Sequence, residues 1–274
     1  MYFEFFKFLI YIILIIVISK YLLVETVRKL AVSLNLKSST VGQITGFSTS
    51  MPEFLTIITS SLRGLAGTGI YNILSSNIIN FFQYIFTISF NKNIKKLNNI
   101  AIKISVVLVV FTILIPLLVL KYKIQNDVFF VLIFILLYVF FGFINKNAHK
   151  KYFGNFYNNN DENRLKKRDI RRVIKYVVIL IIIGVMLFLI SVLLGNSLEK
   201  LCLIFNIPQI IVGIILGVAT SIPELITFFE SQRFHNAESK DMLGVIEATN
   251  NLLTSNTLNL FIIQSIGFFI MTIV

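Results

Sequence analysis

The sequence predicts an all-α, polytopic membrane protein. Hydrophobic residues make up 56% of the chain and charged residues only 14%, whereas about a quarter of a soluble domain is charged. Apolar runs such as 174–194 are as long as the roughly 20 residues that a helix needs to cross the hydrocarbon core. A transmembrane β-barrel would instead show shorter segments of alternating polarity. These observations favour membrane-spanning helices.

Apolar runs separated by polar breaks predict about eight transmembrane helices. The fourth and fifth are uniformly apolar, whereas the second, third, seventh and eighth carry small and polar residues within the span. Small residues let helices approach closely, and their hydroxyls and amides can hydrogen-bond across the contact. The expected limits are residues 3–31, 38–62, 67–90, 98–121, 127–145, 171–202, 207–230 and 241–272.

Basic loops, rather than a nucleic-acid partner, account for the net charge of +12. Lys and Arg are concentrated at 146–170, and smaller basic segments lie at 20–37 and 92–96. The positive-inside rule places such loops in the cytoplasm. Counting spans outward from 146–170 puts the two smaller segments on the same side and both termini outside. We therefore expect a multi-pass protein of the cell membrane.

The long basic loop at 146–170 divides the chain into a first half, 1–145, and a second half, 171–274. Five predicted spans precede the loop and three follow it. Because five is an odd number, the second half enters the membrane with the opposite orientation. Any repeat that the two halves share is therefore inverted.

Such a repeat is present, with one copy in each half. The string TSMPE at 49–53 recurs as TSIPE at 220–224, with a single difference. Glycines spaced by four precede both strings, and NILSSNIIN at 72–80 matches NLLTSNTLN at 251–259 downstream. All these matches occur in the same order. An inverted repeat with polar, interrupted helices is typical of transporters whose binding site lies near the middle of the membrane.

Glu53 and Glu224 are the unusual members of the repeated strings. A carboxylate at the centre of a membrane helix costs about 2.5–3.5 kcal/mol on insertion scales. Pro52 and Pro223 precede them, and proline has no N–H, so the carbonyls four residues back lose their helical donors. We expect two discontinuous helices that present carboxylates, free carbonyls and serine hydroxyls to one cavity.

These groups are hard oxygen ligands, which suit Ca²⁺ because it takes six to eight oxygens in flexible geometry. No His or Cys is among the candidates, which argues against Zn²⁺ or Cu⁺. Without a divalent cation two facing carboxylates cannot easily both remain charged, so one should bind a proton or Na⁺. The alternative for Glu53 and Glu224 is a buried ion pair or a capped carboxylate, although these spans offer no obvious cation partner.

The helices after the two strings carry further candidate ligands. Ser76 and Asn80 are four residues apart and share one helix face, and Ser255 and Asn259 repeat the arrangement. They could complete the coordination or form flanking sites for monovalent ions. The alternative is that they form hydrogen bonds between packed helices.

These repeated motifs resemble those of the cation/Ca²⁺ antiporter superfamily, the sodium/calcium exchanger membrane region family. The family carries Gly-Thr-Ser-x-Pro-Glu and then Gly-Ser-Asn-x-x-Asn in each of two inverted repeats. The resemblance implies that Glu53 and Glu224 bind Ca²⁺ with help from Thr49 and Thr220. It also implies that the following residues line adjoining Na⁺ sites: Ser50, Ser76, Ser221 and Ser255, with Asn80 and Asn259 nearby.

The chain departs from the family pattern in two ways. Ser48 and Ala219 replace the glycine of the first motif, and Ser75 and Thr254 replace that of the second. The family usually has ten spans, whereas eight are predicted here. The flank that lacks its two helices would face lipid or a partner, which makes a homodimer plausible.

The resemblance implies a secondary antiporter that exchanges Ca²⁺ for Na⁺ or H⁺ by alternating access, with no cofactor and with the bilayer as its surroundings. The alternative is a degenerate, non-transporting subunit or scaffold of the same fold. An enzyme is not expected, because neither an HExxH motif nor a nucleophile–base arrangement is present. Glu247 is interpreted as interfacial, and Glu230, Arg233, His235, Glu238 and Asp241 as a solvated loop rather than a regulatory site.

Overall fold

A computed structural model describes residues 2–34, 36–62, 66–122, 128–161, 170–205, 208–237 and 240–273, and within them it contains helices and no strands. A π-helical segment, Ser19–Leu23, joins α1 to α2, and a second one, Leu258–Ile263, joins α11 to α12. The α-helices are α1 (Tyr2–Ile18), α2 (Val24–Leu34), α3 (Ser38–Thr49), α4 (Met51–Leu62), α5 (Ala66–Phe90), α6 (Ile100–Tyr122), α7 (Val128–Asp161), α8 (Ile170–Phe205), α9 (Gln209–Thr220), α10 (Ile222–Ala237), α11 (Asp241–Thr257) and α12 (Gln264–Ile273).

Over the described residues, seven helical segments are long and apolar enough to cross a membrane. The predicted second span, 38–62, is not among them. It forms two 12-residue helices, α3 and α4, and it is rich in Ser and Thr. The predicted fifth span, 127–145, is too short, because α7 continues as far as Asp161. The beginning of the predicted loop 146–170 is therefore helical.

Both repeated strings interrupt a helix at a single serine. Ser50 separates α3 from α4 with φ −79° and ψ 2°, and Ser221 separates α9 from α10 with φ −81° and ψ 0°. Pro52 and Pro223 are the second residues of the helices that follow. Proline is tolerated in the first turn of a helix but not in its interior. The chain therefore begins a new helix at each string, as the sequence predicted.

The two copies of the repeat run in opposite directions. Gly69, near the start of α5, packs against Ser60 of α4, and the segment after α5 reaches α10, where Asn93 Nδ2 donates to Gln232 Oε1 at 3.1 Å. In the second half, Gly244 near the start of α11 packs against Gln232, and Gly267 of α12 packs against Ser61. The outer ends of α4 and α10 therefore lie at opposite ends of the protein.

The distance between these ends matches a membrane. Helical residues rise about 1.5 Å each, so the stretch from Gly244 to Gly267 spans about 35 Å, against about 30 Å for a hydrocarbon core. Glu53 and Glu224 lie in the first turns of α4 and α10. The strings therefore lie about midway between the two ends.

The short helix of each half packs against the motif helix of the other half. A Cβ on Gly46 of α3 would lie 2.6 Å from the Asn251 carbonyl of α11, and one on Gly217 of α9 would lie 2.8 Å from the Asn72 carbonyl of α5. Only glycine allows so close an approach between backbones. The spaced glycines of the sequence therefore interlock the two repeats.

Two further layers flank this core. On one side the helical run α1–α2 packs along α8, where Leu23 and Val27 contact Ile183 and Leu187. On the other side α6 and α7 cover α11 and the second π segment. There the ring of Phe261 makes edge contacts with Phe134 and Phe141 of α7 at centroid distances of 5.5 and 5.1 Å.

Alanine at Gly46 or Gly217 should destabilise the protein, because the new methyl group would press on a carbonyl of the neighbouring helix. Overpacking of this kind typically costs about 1–3 kcal/mol. The measurement is the thermal unfolding midpoint of the purified protein in detergent.

Gly184→Ala is the matched control for these variants. Nothing lies within 4 Å of a Cβ at that position, and alanine is a better helix former than glycine by about 1 kcal/mol. Its midpoint should equal or exceed that of the unchanged protein. Equal midpoints for all three alanine variants would contradict the interlocked packing.

Candidate cation-binding site

The structure brings all the predicted ligand residues together where the interrupted helices meet. Each is at most 1% exposed, so a polar cluster lies inside an otherwise apolar protein. Its members come from four helical runs, α3–α4 and α5 of the first half and α9–α10 and α11–α12 of the second. They are Thr49, Ser50, Glu53, Ser76, Asn80, Thr220, Ser221, Glu224, Ser255 and Asn259.

The carboxylates of Glu53 and Glu224 interact with each other electrostatically. Each lies in the first turn of its helix, α4 or α10. A helix N-terminus carries unpaired N–H groups and a partial positive charge, which stabilises a nearby anion. The interruption of the spans therefore directs two helix N-termini at the centre of the protein and places a carboxylate on each.

Hydroxyl and amide groups of both halves surround Glu224. Ser255 Oγ donates to Glu224 Oε1 at 2.9 Å, and Ser50 Oγ donates to Ser255 Oγ at 2.9 Å. Asn80 Nδ2 also points at Ser255 Oγ, at 3.4 Å, and the Thr49 hydroxyl lies beside the carboxylate. This chain of contacts crosses from one repeat to the other, so neither half forms the cluster alone.

Glu53 is surrounded by the matching residues of the other copy, but its hydrogen bonding differs. The hydroxyls of Thr220 and Ser76 lie beside it and are 3.4 Å from each other. Neither of its oxygens accepts a hydrogen bond from the part of the chain that the structure describes. The cluster is therefore asymmetric, with one carboxylate partly satisfied and the other not.

Several buried oxygens of the cluster share this lack of a donor among the described residues. Buried polar atoms are nearly always paired, so a group of exceptions requires a physical explanation. All these atoms are oxygens, and carboxylate and carbonyl oxygens are the ligands that Ca²⁺ and Na⁺ accept. They are both oxygens of Glu53, Oε2 of Glu224, Oγ of Ser221, and Oδ1 of Asn80 and Asn259.

Two asparagines orient the amide ligands, a role that sequence analysis missed. Asn77 and Asn256 each donate from Nδ2 to the other's backbone carbonyl, at 3.2 and 3.0 Å. Asn80 Nδ2 donates to Asn256 Oδ1 at 3.2 Å, and Asn259 Nδ2 donates to Asn77 Oδ1 at 3.3 Å. The amide nitrogens are thus held, which leaves the Asn80 and Asn259 oxygens free. The sequence offered a signal for this role, because both asparagines belong to the motif that is repeated in the two halves.

A motif serine or asparagine can therefore be a candidate cation ligand and also form a hydrogen bond between packed helices. Ser76 Oγ donates to the Gly217 carbonyl of the other half at 3.3 Å, which is a hydrogen bond between packed helices. Asn259 lies within the π-helical segment Leu258–Ile263, whereas Asn80 lies in an uninterrupted helix. Such π-helical turns inside α-helices occur frequently at functional sites.

The interpretation of His235 as part of a solvated loop is wrong, and Glu247, interpreted as interfacial, is also buried inside the protein. The exposed fractions of Glu247 and His235 are only 4% and 3%. Glu247 accepts hydrogen bonds from Arg28 at 3.0 Å and contacts His235 Nε2 at 3.0 Å. Helix α10 continues to Ala237 and packs its end against α11, which buries side chains that a polar sequence assigned to a loop.

Comparison with solved structures supports the fold. The sodium-calcium exchanger NCX_Mj soaked with 100 mM Na⁺ and 10 mM Sr²⁺ matches with a TM-score of 0.61 and 20% identity, covering 98% of this chain and 82% of that chain. The same exchanger soaked with 10 mM Na⁺ and zero Ca²⁺ gives 0.60, at 20% identity over 98% and 83%. With zero Na⁺ and Ca²⁺ it gives 0.57, at 18% identity over 99% and 84%.

No curated protein matches the sequence significantly. The family model described as sodium/calcium exchanger protein, however, matches residues 5–146 and 175–274. These residues include both copies of the repeat and make up most of the chain. The protein is therefore a member of the sodium/calcium exchanger family.

Proposed function

We propose that this protein is a secondary antiporter that exchanges Ca²⁺ for Na⁺ or H⁺ by alternating access. The observation that carries the proposal is the pair of carboxylates, Glu53 and Glu224, which come from opposite repeats and are fully buried together. Unpaired oxygens surround them. One divalent cation would neutralise both charges and accept those oxygens as ligands.

The same geometry provides a reason for coupled exchange. Two neighbouring carboxylates inside a membrane protein repel each other, and the described residues supply no Lys or Arg to the cluster. An uncompensated charge in this environment is strongly unfavourable. When Ca²⁺ leaves, Na⁺ or protons must therefore take its place before the site can turn to the other side.

We assign the ligands by combining this geometry with the family motifs. Glu53 and Glu224 would bind Ca²⁺ together with oxygens of Thr49 and Thr220. The adjoining Na⁺ positions would use hydroxyl and amide oxygens of the remaining cluster members, which are Ser50, Ser76, Ser221, Ser255, Asn80 and Asn259. This division is consistent with the unpaired state of the Asn80 and Asn259 oxygens.

The moving parts would be the two long flanking runs, α1–α2 and α8. They pack mainly against each other and along one side of the interlocked core. The π-helical segment Ser19–Leu23 divides the first run near its middle and is a natural point of bending. The halves 1–145 and 171–274 contribute one inverted repeat each, and the site lies between them. Sliding the flanking runs along the core would therefore expose the site at one end of the protein or at the other.

Glu53→Gln and Glu224→Gln should each abolish Ca²⁺ uptake into proteoliposomes. Each substitution leaves a bound Ca²⁺ with one carboxylate instead of two, so part of its charge is uncompensated in a buried site, and the affinity should fall at least about a hundredfold. Glu25→Gln is the matched control, since its carboxylate is 59% exposed and pairs with Lys29 on the surface. It should transport normally.

Persistent uptake in both site variants would exclude the assigned site. No uptake by the unchanged protein, under either a Na⁺ or a H⁺ gradient, would instead favour the scaffold function.

The counter-ion should be revealed by imposing one gradient at a time. With Ca²⁺ outside, an outward Na⁺ gradient at equal pH should drive uptake if Na⁺ is the partner, and an outward H⁺ gradient without Na⁺ should not. Dependence on pH alone would identify H⁺ and would show that the serine and asparagine oxygens do not serve as Na⁺ sites.

The proposed orientation predicts that the N-terminus and the segment after α5 lie on opposite sides of the membrane. Lys95, which is exposed in that segment, can be replaced by cysteine in a Cys202→Ser background, since the chain has a single cysteine. An impermeant maleimide added to intact cells should leave this cysteine unlabelled, whereas an N-terminal epitope tag should bind antibody. Labelling of Lys95→Cys from outside would contradict the proposed orientation and indicate the opposite one.

A further inference from the structure

Buried polar side chains form a file from the cation cluster to the outer end of α10. Glu247, Asn251 and Ser255 recur every four residues along α11 and so share one helix face, and Asn259 continues the spacing into the π-helical segment that follows. All four are at most 4% exposed. The facing side of α10 is also buried and polar at four positions, which are Glu224, Thr227, Ser231 and His235.

Contacts between the two helices join these faces into one file. At the inner end Ser255 donates to Glu224 at 2.9 Å. One turn further out, Asn251 Nδ2 donates to Thr227 Oγ1 at 2.6 Å. At the outer end His235 Nε2 contacts Glu247 Oε2 at 3.0 Å. Polar groups so aligned in an apolar protein provide the surface that a cation needs in order to reach the site.

Arg28, a residue of α2, closes the outer end of this file. Its Nη2 donates to Glu247 Oε1 at 3.0 Å and to the Glu230 carbonyl at 3.1 Å, and its Nη1 lies 3.5 Å from Glu247 Oε2. The guanidinium also stacks on the Phe234 ring, 4.2 Å from the centroid. Arg28 belongs to a flanking run, whereas all its partners belong to the core.

The closure is only partly shielded from water. The side chains of Arg28 and Glu247 are 18% and 6% exposed, and a cavity of about 230 Å³, lined by Arg28, Arg172 and Tyr176 among others, lies over the guanidinium. Partly buried, bidentate Arg–carboxylate pairs hold their partners far more firmly than surface pairs do. Opening this end of the protein therefore requires the pair to separate.

The sequence does not repeat the Glu and His of this closure in the other copy. Thr56 and Ser60 occupy the positions that match Thr227 and Ser231, so the polar file itself is duplicated. The positions that match Glu247 and His235 are Thr68 and Gly64, which carry no charge. In the sequence, the charged residues of the closure therefore occur in the second copy and are not part of what the two copies share.

We propose that Arg28, Glu247 and His235 form a gate lock, which holds α2 on the core and keeps the α10 end of the file closed. Arg28 and Glu247 are the two halves of the lock. His235 is a positioning residue, because it contacts Glu247 Oε2 at 3.0 Å, the oxygen to which Arg28 makes only its longer contact of 3.5 Å. The proposal rests on the antiporter function only in that releasing the lock opens a path to the cation site.

The test uses single cysteines in the Cys202→Ser protein, reconstituted in nanodiscs so that both faces are accessible. Ser231→Cys lies in the file inside the lock, and Ser60→Cys lies at the matching position of the opposite end. Both serines are 3% exposed. The rate of modification by a charged, impermeant methanethiosulfonate reagent reports how often each end opens.

Arg28→Gln and Glu247→Gln should each raise the modification rate at Ser231→Cys by about fivefold or more, the usual range for coupling between two states. The rate at Ser60→Cys should stay equal or fall, because opening one end closes the other. Lys29→Gln is the matched control, since Lys29 is the neighbouring cation and pairs with Glu25 on the surface. It should change neither rate.

Arg28→Lys keeps the charge and is the variant to use if the neutral variants fail to fold. Lysine loses the planar fork and the stacking on Phe234, so it should give an intermediate rate at Ser231→Cys. The double variant Arg28→Gln/Glu247→Gln should open no more than either single variant, because coupled residues act together.

Rates at Ser231→Cys that equal the Lys29→Gln control in the Arg28 and Glu247 variants would overturn the lock. This readout requires no transport, so the two proposals can fail separately. Raised accessibility without Ca²⁺ flux would leave the lock standing and contradict the antiporter. Normal Ca²⁺ flux with unchanged accessibility would support the antiporter and contradict the lock.

Discussion

The burial of two neighbouring carboxylates is the constraint on which the rest of this structure depends. Glu53 and Glu224 are fully buried and interact electrostatically with each other, in a membrane protein surrounded by hydrocarbon. The helix N-termini at the interrupted spans, the hydroxyls and the oriented amides all reduce the free-energy cost of this arrangement. They do not remove it, since the hydroxyls of Thr220 and Ser76 lie beside Glu53 without forming a hydrogen bond to its oxygens within the described residues. A bound cation would complete the site.

The packing of the core follows from the need to bring these groups together from opposite directions. Each short helix crosses the motif helix of the other half at a glycine, Gly46 or Gly217. The site is consequently shared between two inverted repeats. The two copies of the repeat also differ from each other at individual positions. Asn259 lies in a π-helical segment whereas Asn80 does not, and Glu247, which pairs with Arg28, is matched in sequence by the uncharged Thr68.

Much of this arrangement could be predicted from sequence because it depends on rare residues. Carboxylates and prolines are so unfavourable inside membrane spans that their duplication at 49–53 and 220–224 indicates one shared site. The interruption of the spans followed from proline chemistry alone. The predicted ligands are indeed together, since inverted repeats that pair must bring matching positions close to one symmetry centre.

Other features depend on tertiary contacts that leave no local pattern. Asn77 and Asn256 orient the ligand amides only because two helices of opposite halves lie against each other. His235 and Glu247 follow a polar stretch typical of a loop, yet packing of α10 on α11 buries them. The α7 helix extends past its apolar span to Asp161, because helical structure does not end where hydrophobicity ends.

Calcium titration by isothermal calorimetry tests the shared site most directly. The purified protein should bind one Ca²⁺ at high affinity between its two carboxylates, and Glu53→Gln and Glu224→Gln should each eliminate that binding completely. Two high-affinity Ca²⁺ ions per chain, with one retained in each single variant, would show that every repeat holds its own ion. That result would contradict a single site built from both halves.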